Sequence, residues 1–326
     1  MKRFMTVTIA ALVLGACGGD SEGSSSTIAA AAPAPTATAP AATTTTTTAP
    51  TTTTTLPTTT TLDEGEPVEV TRDVAYRQLD EPAGESDLRT PGAATTGQLD
   101  VWAPTSAGPW PVLVVLHGQV PNSRSGYDAL AERIAAGGAV VYNVDWPVDI
   151  FFQDAEIVAC AIGFARSTAA DYGGSPDRVT VLGHSAGAAT GATVALAAEL
   201  LSPIEDCATT DASIIPDVLV GVAGRYDYAV SGIARGLKES DPAAWEIVDP
   251  YTNIGRNPDL EVYLLHGDID DWNPVQSSID FDQALRDAGY AVHLTVLEGV
   301  GHNSPVAPTF DAFWVTVDMA IEAAGG

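Results

Sequence analysis

The sequence predicts an α/β fold, a mostly parallel central sheet flanked by helices, over residues 67–326 of a 326-residue chain. Three observations predict it. Short continuous apolar runs such as Val112–Leu116 and Val218–Val222 read as strands buried on both faces. Segments of helical length separate these runs, and strands alternating with helices imply right-handed crossovers in one sheet. The stretch V-T-V-L-G-H-S-A-G-A-A-T, Val179–Thr190, passes from a strand through a glycine-flanked turn into a helix.

The chain does not begin with core. Lys2 and Arg3 precede the apolar run Phe4–Leu14, the layout of an export signal too short for a permanent span. Leu14-Gly15-Ala16-Cys17 then resembles the lipobox of bacterial lipoproteins. That resemblance implies a signal over residues 1–17, lipid on Cys17, and anchoring at the outer face of the bacterial cytoplasmic membrane. The alternative is an ordinary secretory signal with an incidental cysteine. Residues 18–66 collapse to Thr, Ala, Pro, Ser and Gly, including Thr43–Thr48 and Thr51–Thr55. Almost no large apolar side chain is there to offset the entropy of ordering, so a disordered tether is expected. At about 3.1 Å per residue its roughly fifty residues reach on the order of 150 Å.

The folded part begins near Val68. Val68–Tyr76 and Gln98–Ala103 read as strands, Val112–Leu116 as a buried strand ending in His117-Gly118-Gln119, and Tyr127–Ala136 as a helix. Ala139–Val144 is the next strand and Gln153–Tyr172 a long helix. The Val179 strand enters the serine turn, and the helix beyond it runs to Leu201. Val218–Val222, Glu261–Leu265 and Ala291–Leu297 are further strands; Val275–Asp287 and Pro308–Ala324 are helical. The long connection 225–258 carries Tyr226, Tyr228, Trp245 and Tyr251 and reads as a small cap with an aromatic wall. The alternative is an excursion that its aromatic residues merely anchor. Trp146, Phe151, Phe152 and Trp272 are expected at the same edge of the sheet.

Composition narrows the function. There are 42 acidic and 14 basic side chains, a formal net charge of −28, which repels nucleic-acid phosphates and anionic headgroups. Nucleic-acid partners are therefore excluded, and the expected membrane contact is through lipid on Cys17. Cys160 and Cys207 remain, and an even pair in an exported domain points to a disulfide, the alternative being two buried thiols. Scattered histidines and the lack of any C-x-x-C give no metal spacing, so no metal is expected. A monomer is expected.

The turn Gly183-His184-Ser185-Ala186-Gly187 carries the chemistry. A sharp strand-to-helix turn strains its middle residue and lifts the serine hydroxyl clear of the sheet, with the helix N-terminus behind it. A nucleophilic serine needs a general base, and the base needs an orienting acid, in the order serine, acid, histidine for this kind of turn. Of five histidines, His117, His184 and His266 lie inside or beside turn glycines. His293 projects from a strand. His302 lies in the loop Glu298–Ser304 at the C-terminal edge, where open sheets bind ligands, and is the expected base.

Acids are offered by Asp268, Asp270 and Asp271 in one loop and by Asp227 after the preceding strand. Here the chain resembles the α/β-hydrolase esterases and lipases, whose acid loop reads H-G-x-x-D with proline four residues on. His266-Gly267, Asp270 and Pro274 match, and the resemblance implies Asp270 as the acid. It also implies an oxyanion hole made by the N–H of Ala186 and one from the loop His117-Gly118-Gln119. Glutamine stands there in place of a glycine of the H-G-G-G pattern, so Gly118 and Gln119 are alternative donors. The likeness runs from about Leu99 to His302. Asp100–Pro104, Gly173–Asp177 and Gly183–Ala188 look most like feruloyl esterases, acetyl esterases and kynurenine formamidases. The resemblance implies the α/β-hydrolase fold and hydrolysis of esters or activated amides without a cofactor; the expected reaction is cleavage of small-molecule or polymer-borne carboxylic esters through an acyl-enzyme. An acyltransferase or peptidase on the same scaffold, or a silent ligand-binding protein at the cell surface, are the alternatives.

Overall fold

Leu113 and Val115 alternate with Val112, Val114 and Leu116, and all five are fully buried. A strand apolar on both sides needs helices on both faces of its sheet. The computed structural model has this arrangement and describes residues 52–54, 65–78, 97–148, 151–202, 204–209, 211–227 and 237–325. The expected signal, Cys17 and most of the expected tether lie outside the described residues, as do the side chains of Phe151 and Phe152.

Among the described residues nine strands form one sheet: β1 (Thr52–Thr54), β2 (Val68–Ala75), β3 (Gln98–Pro104), β4 (Trp110–Leu116), β5 (Val140–Val144), β6 (Gly174–His184), β7 (Val218–Val222), β8 (Glu261–Gly267) and β9 (Ala291–Leu297). Their order is β1-β9-β8-β7-β6-β4-β5-β3-β2. β3 runs antiparallel to both β2 and β5, and every other neighbouring pair is parallel. β1 belongs to the stretch expected as tether; its three residues pair with Thr295–Leu297 of β9. β6 begins five residues before the apolar run that marks it in the sequence. Ser175-Pro176-Asp177-Arg178 carry no apolar pattern because Ser175 is only half-buried and the other three are exposed.

The helices among the described residues include α1 (Asp128–Ala136), α2 (Phe151–Thr168), α3 (Ala186–Ala197), α4 (Pro242–Val248), α5 (Gln276–Asp287) and α6 (Asp311–Ala324). Leu113, Val115, Val141, Leu182 and Val220 pack on one face against Leu130 and Ile134 of α1 and Phe313 and Val317 of α6. On the other face, Val112, Val114, Tyr142 and Val181 meet Val158 and Ile162 of α2. Leu219, Val262 and Leu264 meet Ala188 and Ala192 of α3 and Phe281 and Leu285 of α5. The alternation of each strand thus divides its side chains between two helical layers. Among the described residues, no helix is long and apolar enough to cross a membrane.

Of the expected cap, residues 228–236 lie outside the described residues. The aromatic residues of the remainder anchor the excursion. Tyr226 is fully buried and stacks on Phe281 at 4.2 Å, Tyr251 meets the same ring edge-on, and Trp245 is buried. Thr193 donates to Val248 O at 2.9 Å and Asn257 Nδ2 to Ala195 O at 2.9 Å, which ties the segment along α3.

Cys160 of α2 and Cys207, beyond α3, form a disulfide with their Cα atoms 5.8 Å apart. It closes a loop of 47 residues, for which chain entropy gives about 4 kcal/mol. The double variant Cys160→Ala/Cys207→Ala should therefore keep the native far-UV spectrum and lose roughly that much stability in urea. An unchanged midpoint would show that the bond does not form.

Candidate active site

Parallel strands end on the same side of a sheet, so the loops following β4, β6, β8 and β9 meet at one rim. The loop after β6 is the tightest of them. Ser185 has φ 55° and ψ −114°, a conformation that side-chain-bearing residues rarely hold. A Cβ on Gly183 would lie 2.2 Å from Gly187 O, and one on Gly187 2.5 Å from Leu116 O. Both positions therefore require glycine. Ser185 N–H donates to Val222 O at 2.9 Å, and Ala186 begins α3, where first-turn N–H groups have no intrahelical acceptor.

His302 Nε2 stands 2.9 Å from Ser185 Oγ, and His302 Nδ1 2.7 Å from Asp270 Oδ2. The carboxylate can only accept, so Nδ1 carries the hydrogen and Nε2 faces the serine hydroxyl as an acceptor. Asp270 is held at both oxygens. Oδ1 accepts the N–H groups of Trp272 at 2.9 Å and Asn273 at 2.8 Å, and Oδ2 also faces His266 Nε2 at 3.2 Å. Burial pushes the Asp270 carboxyl up, but the hydrogen bonds from His266, His302 and Asn273 outweigh it and hold the group well below the usual carboxylate range. It remains ionised. The structure thus brings together Ser185, Asp270 and His302.

The rival residues are engaged elsewhere. Asp268 accepts Gly299 N–H at 2.7 Å, Asp271 is exposed, and Asp227 pairs with Arg225 and Ser277. His293 is exposed and stacks on Tyr263. His266, excluded as base, is a site residue of another kind: Nε2 faces Asn273 O at 2.9 Å as well as Asp270, and Nδ1 meets Ser278 Oγ at 2.7 Å. In the sequence its signal is only the first letter of H-G-x-x-D.

A buried chain of hydrogen bonds joins the three other loops. Gly118 N–H donates to Tyr127 Oη at 2.9 Å, and Tyr127 Oη lies 2.6 Å from His184 Nδ1. His184 Nε2 lies 3.0 Å from His302 O. A backbone N–H only donates and a carbonyl only accepts, so Tyr127 passes its proton toward Nδ1 and His184 is protonated at Nε2. This corrects one expectation. Gly118 is not free to serve as an oxyanion donor, because its N–H is already spent on Tyr127. Its carbonyl is also fixed, accepting His117 Nδ1–H at 2.8 Å. The loop is further secured by Arg124, whose guanidinium bridges Asp73, Asp100 and Asp145. Among the described residues, no group of three or more His, Cys, Asp or Glu side chains is arranged to hold a metal ion.

His184 is completely buried, and burial, reinforced by the neighbouring His302, lowers its pKa to about 3. Below about pH 6.5 the unfolded chain binds a proton that the native imidazole refuses, so His184 removes stability progressively as the pH falls toward about 3. Unfolding free energies of the unaltered protein and His184→Gln should therefore draw together, or cross, between about pH 7 and about pH 3.5. Parallel curves would mean that His184 titrates normally in the native state.

No family model matches the chain. Esterase LipQ of Mycobacterium tuberculosis is 26% identical over 255 residues, covering 70% of this chain and 59% of that protein. Esterase LipC of the same organism is 29% identical over 236 residues, covering 63% and 56% respectively. The chain therefore spans less than two thirds of the length of these curated relatives. Among solved structures, a truncated carbohydrate esterase from gut microbiota superposes with a TM-score of 0.63 at 16% identity, over 81% of this chain and 99% of its own. The butyrate-bound thermophilic esterase Est2 of Thermogutta terrifontis gives 0.61 at 20%, over 79% and 92%. The chain has the α/β-hydrolase fold, and the proteins it is similar to are esterases.

Proposed function

We propose that this chain is a serine hydrolase that cleaves carboxylic esters through an acyl-enzyme. The observation that carries the reading is the unbroken line from Asp270 through His302 to Ser185, at 2.7 and 2.9 Å. Ser185 Oγ attacks the ester carbonyl carbon while His302 Nε2 takes its proton. The resulting imidazolium faces the ionised carboxylate of Asp270. As the tetrahedral intermediate collapses, the bond to the alcohol oxygen breaks and that oxygen takes the proton from Nε2. Water then attacks the acyl-enzyme with the same base, the carboxylic acid departs, and Ser185 regains its proton.

The intermediate's oxyanion needs two donors. Ala186 N–H is one, at the start of α3. For the other, the peptide between Gly118 and Gln119 supports Gln119. Its carbonyl is pinned by buried His117, and in a trans peptide the N–H points the opposite way from the carbonyl. The solved esterase 2 of T. terrifontis occurs phosphoramylated by tabun and phosphonylated by sarin. Organophosphorus reagents of that kind are expected to modify Ser185 here.

Ser185→Ala should lower turnover of a short-acyl nitrophenyl ester by at least roughly a thousandfold, and retention of a tenth of the rate would end the reading. In the same assay Gln119→Pro, which deletes a backbone donor that side-chain trimming leaves in place, should cost about a hundredfold in kcat with little change in KM. An unchanged kcat would reassign the donor.

The enzyme's location is part of the proposal: lipid on Cys17 and a tether would hold the catalytic domain at the outer face of the membrane. The lipobox-like Leu14–Cys17 supports this, and so does the disulfide, since such bonds persist in oxidising compartments. Cys17→Ser should appear in the medium of the expressing cell; retention in the membrane fraction would count against the anchor.

A further inference from the structure

His302 has two ring neighbours of different character. His184, fully buried, lies 4.9 Å away; Trp272 stacks on the imidazole at 5.0 Å with the planes 25° apart and is 52% exposed. A half-exposed tryptophan beside the reacting base is apolar surface placed where a ligand would cover it. Ile269, on the same loop, is 61% exposed. The loop is held in place: Asp270 Oδ1 binds the Trp272 and Asn273 N–H groups, Ile269 N–H donates to Val300 O, and Asp268 binds Gly299 N–H. The turn that aims the acid therefore also presents the indole.

The chemistry decides which half of an ester meets this surface. To receive its proton, the leaving oxygen must come within about 3 Å of His302 Nε2. The ester's carbonyl oxygen is meanwhile drawn to the N–H groups of Ala186 and Gln119. Space beside His302 is filled by His184 on its buried side, so the alcohol portion emerges along the side where Trp272 is exposed. Resting on the serine-hydrolase reading, we propose that Trp272, with Ile269, forms the alcohol-side subsite and selects esters whose alcohol bears a six-membered ring that lies flat on the indole. An aromatic ring and the C–H face of a pyranose share that shape, and both offer apolar surface to the indole face.

Benzyl acetate, ethyl acetate and methyl 6-O-acetylglucopyranoside share an acyl group and a primary alcohol, which leaves the ring as the variable. The unaltered protein should prefer at least one ring ester over ethyl acetate by roughly tenfold in kcat/KM, and which one identifies the ring. Trp272→Ala should abolish that preference, lowering kcat/KM on the favoured ring ester roughly tenfold more than on ethyl acetate, and Trp272→Phe should keep most of any benzyl preference. Equal loss on all three esters would overturn the proposal, since the indole would then act through His302. Absence of any ring preference in the unaltered protein would overturn it as well. Failure of the underlying reading shows separately, as hydrolysis of none of the three. The subsite is then tested by benzyl alcohol and methyl glucopyranoside binding to the unaltered protein, read from NMR shifts at the Trp272 indole, and no shift with either probe overturns it.

Discussion

The whole arrangement depends on one backbone constraint, the left-handed conformation of Ser185. A side-chain-bearing residue in such a region costs on the order of 1–3 kcal/mol, and it persists only where its surroundings determine it completely. Here they do. β6 is central to the sheet, bonded on one side to β4 and on the other to β7, and the Ser185 N–H is taken by Val222 at the end of β7. The missing Cβ atoms of Gly183 and Gly187 let strand, turn and helix approach within distances no other residue permits. The strain sits at one atom's attachment point and is held by the central strands of the sheet.

From that fixed serine, the remaining distances are set mainly by main-chain contacts. The loops after β8 and β9 are laced together by Asp268 N–H to Leu297 O, Ile269 N–H to Val300 O, and Asp268 Oδ1 to Gly299 N–H. The His302 loop is joined to the serine turn through its own carbonyl, which accepts from His184. The loop after β4 is joined to the same histidine through Tyr127. Three of the loops therefore share one buried partner, His184, whose two nitrogens face in different directions. A long flexible side chain in that role would cost more rotamer entropy and allow drift; a buried imidazole has only two side-chain torsions to fix.

How much of this is legible in the sequence follows from what each residue depends on. Ser185 is marked by a local pattern and His302 by its place after the last strand, so short-range rules suffice for both. Asp270 is legible only through the resemblance, because four aspartates compete and the choice rests on which loop turn offers its N–H groups. Tyr127 and His184 lie 57 positions apart, and His184 and His302 118, so no local pattern announces those contacts. The choice between Gly118 and Gln119 depends on how the two peptide planes flanking the Gly118 Cα are turned, which side-chain identities do not encode. Tyr226 and Tyr251 illustrate the opposite limit: the sequence shows aromatic residues in a long connection, and only packing on Phe281 shows that they anchor it.

His184 also answers a problem that the proposed chemistry creates. His302 must become an imidazolium during turnover, and a second imidazole lies 4.9 Å from it. Were both charged, their repulsion at that distance would be about 3 kcal/mol for an effective dielectric of 20, enough to slow formation of the ion pair with Asp270 roughly a hundredfold. Complete burial removes the conflict by lowering the pKa of His184 to about 3, so that near neutral pH it stays uncharged while remaining a donor to His302 O and an acceptor from Tyr127. Asp270 is treated in the opposite way, with four hydrogen-bond donors directed at its two oxygens, which favours its charged form. The imidazolium of His302 thus forms between a neutral ring and a fixed anion, and the same burial that makes His184 a liability in acid is what lets it stand beside the base.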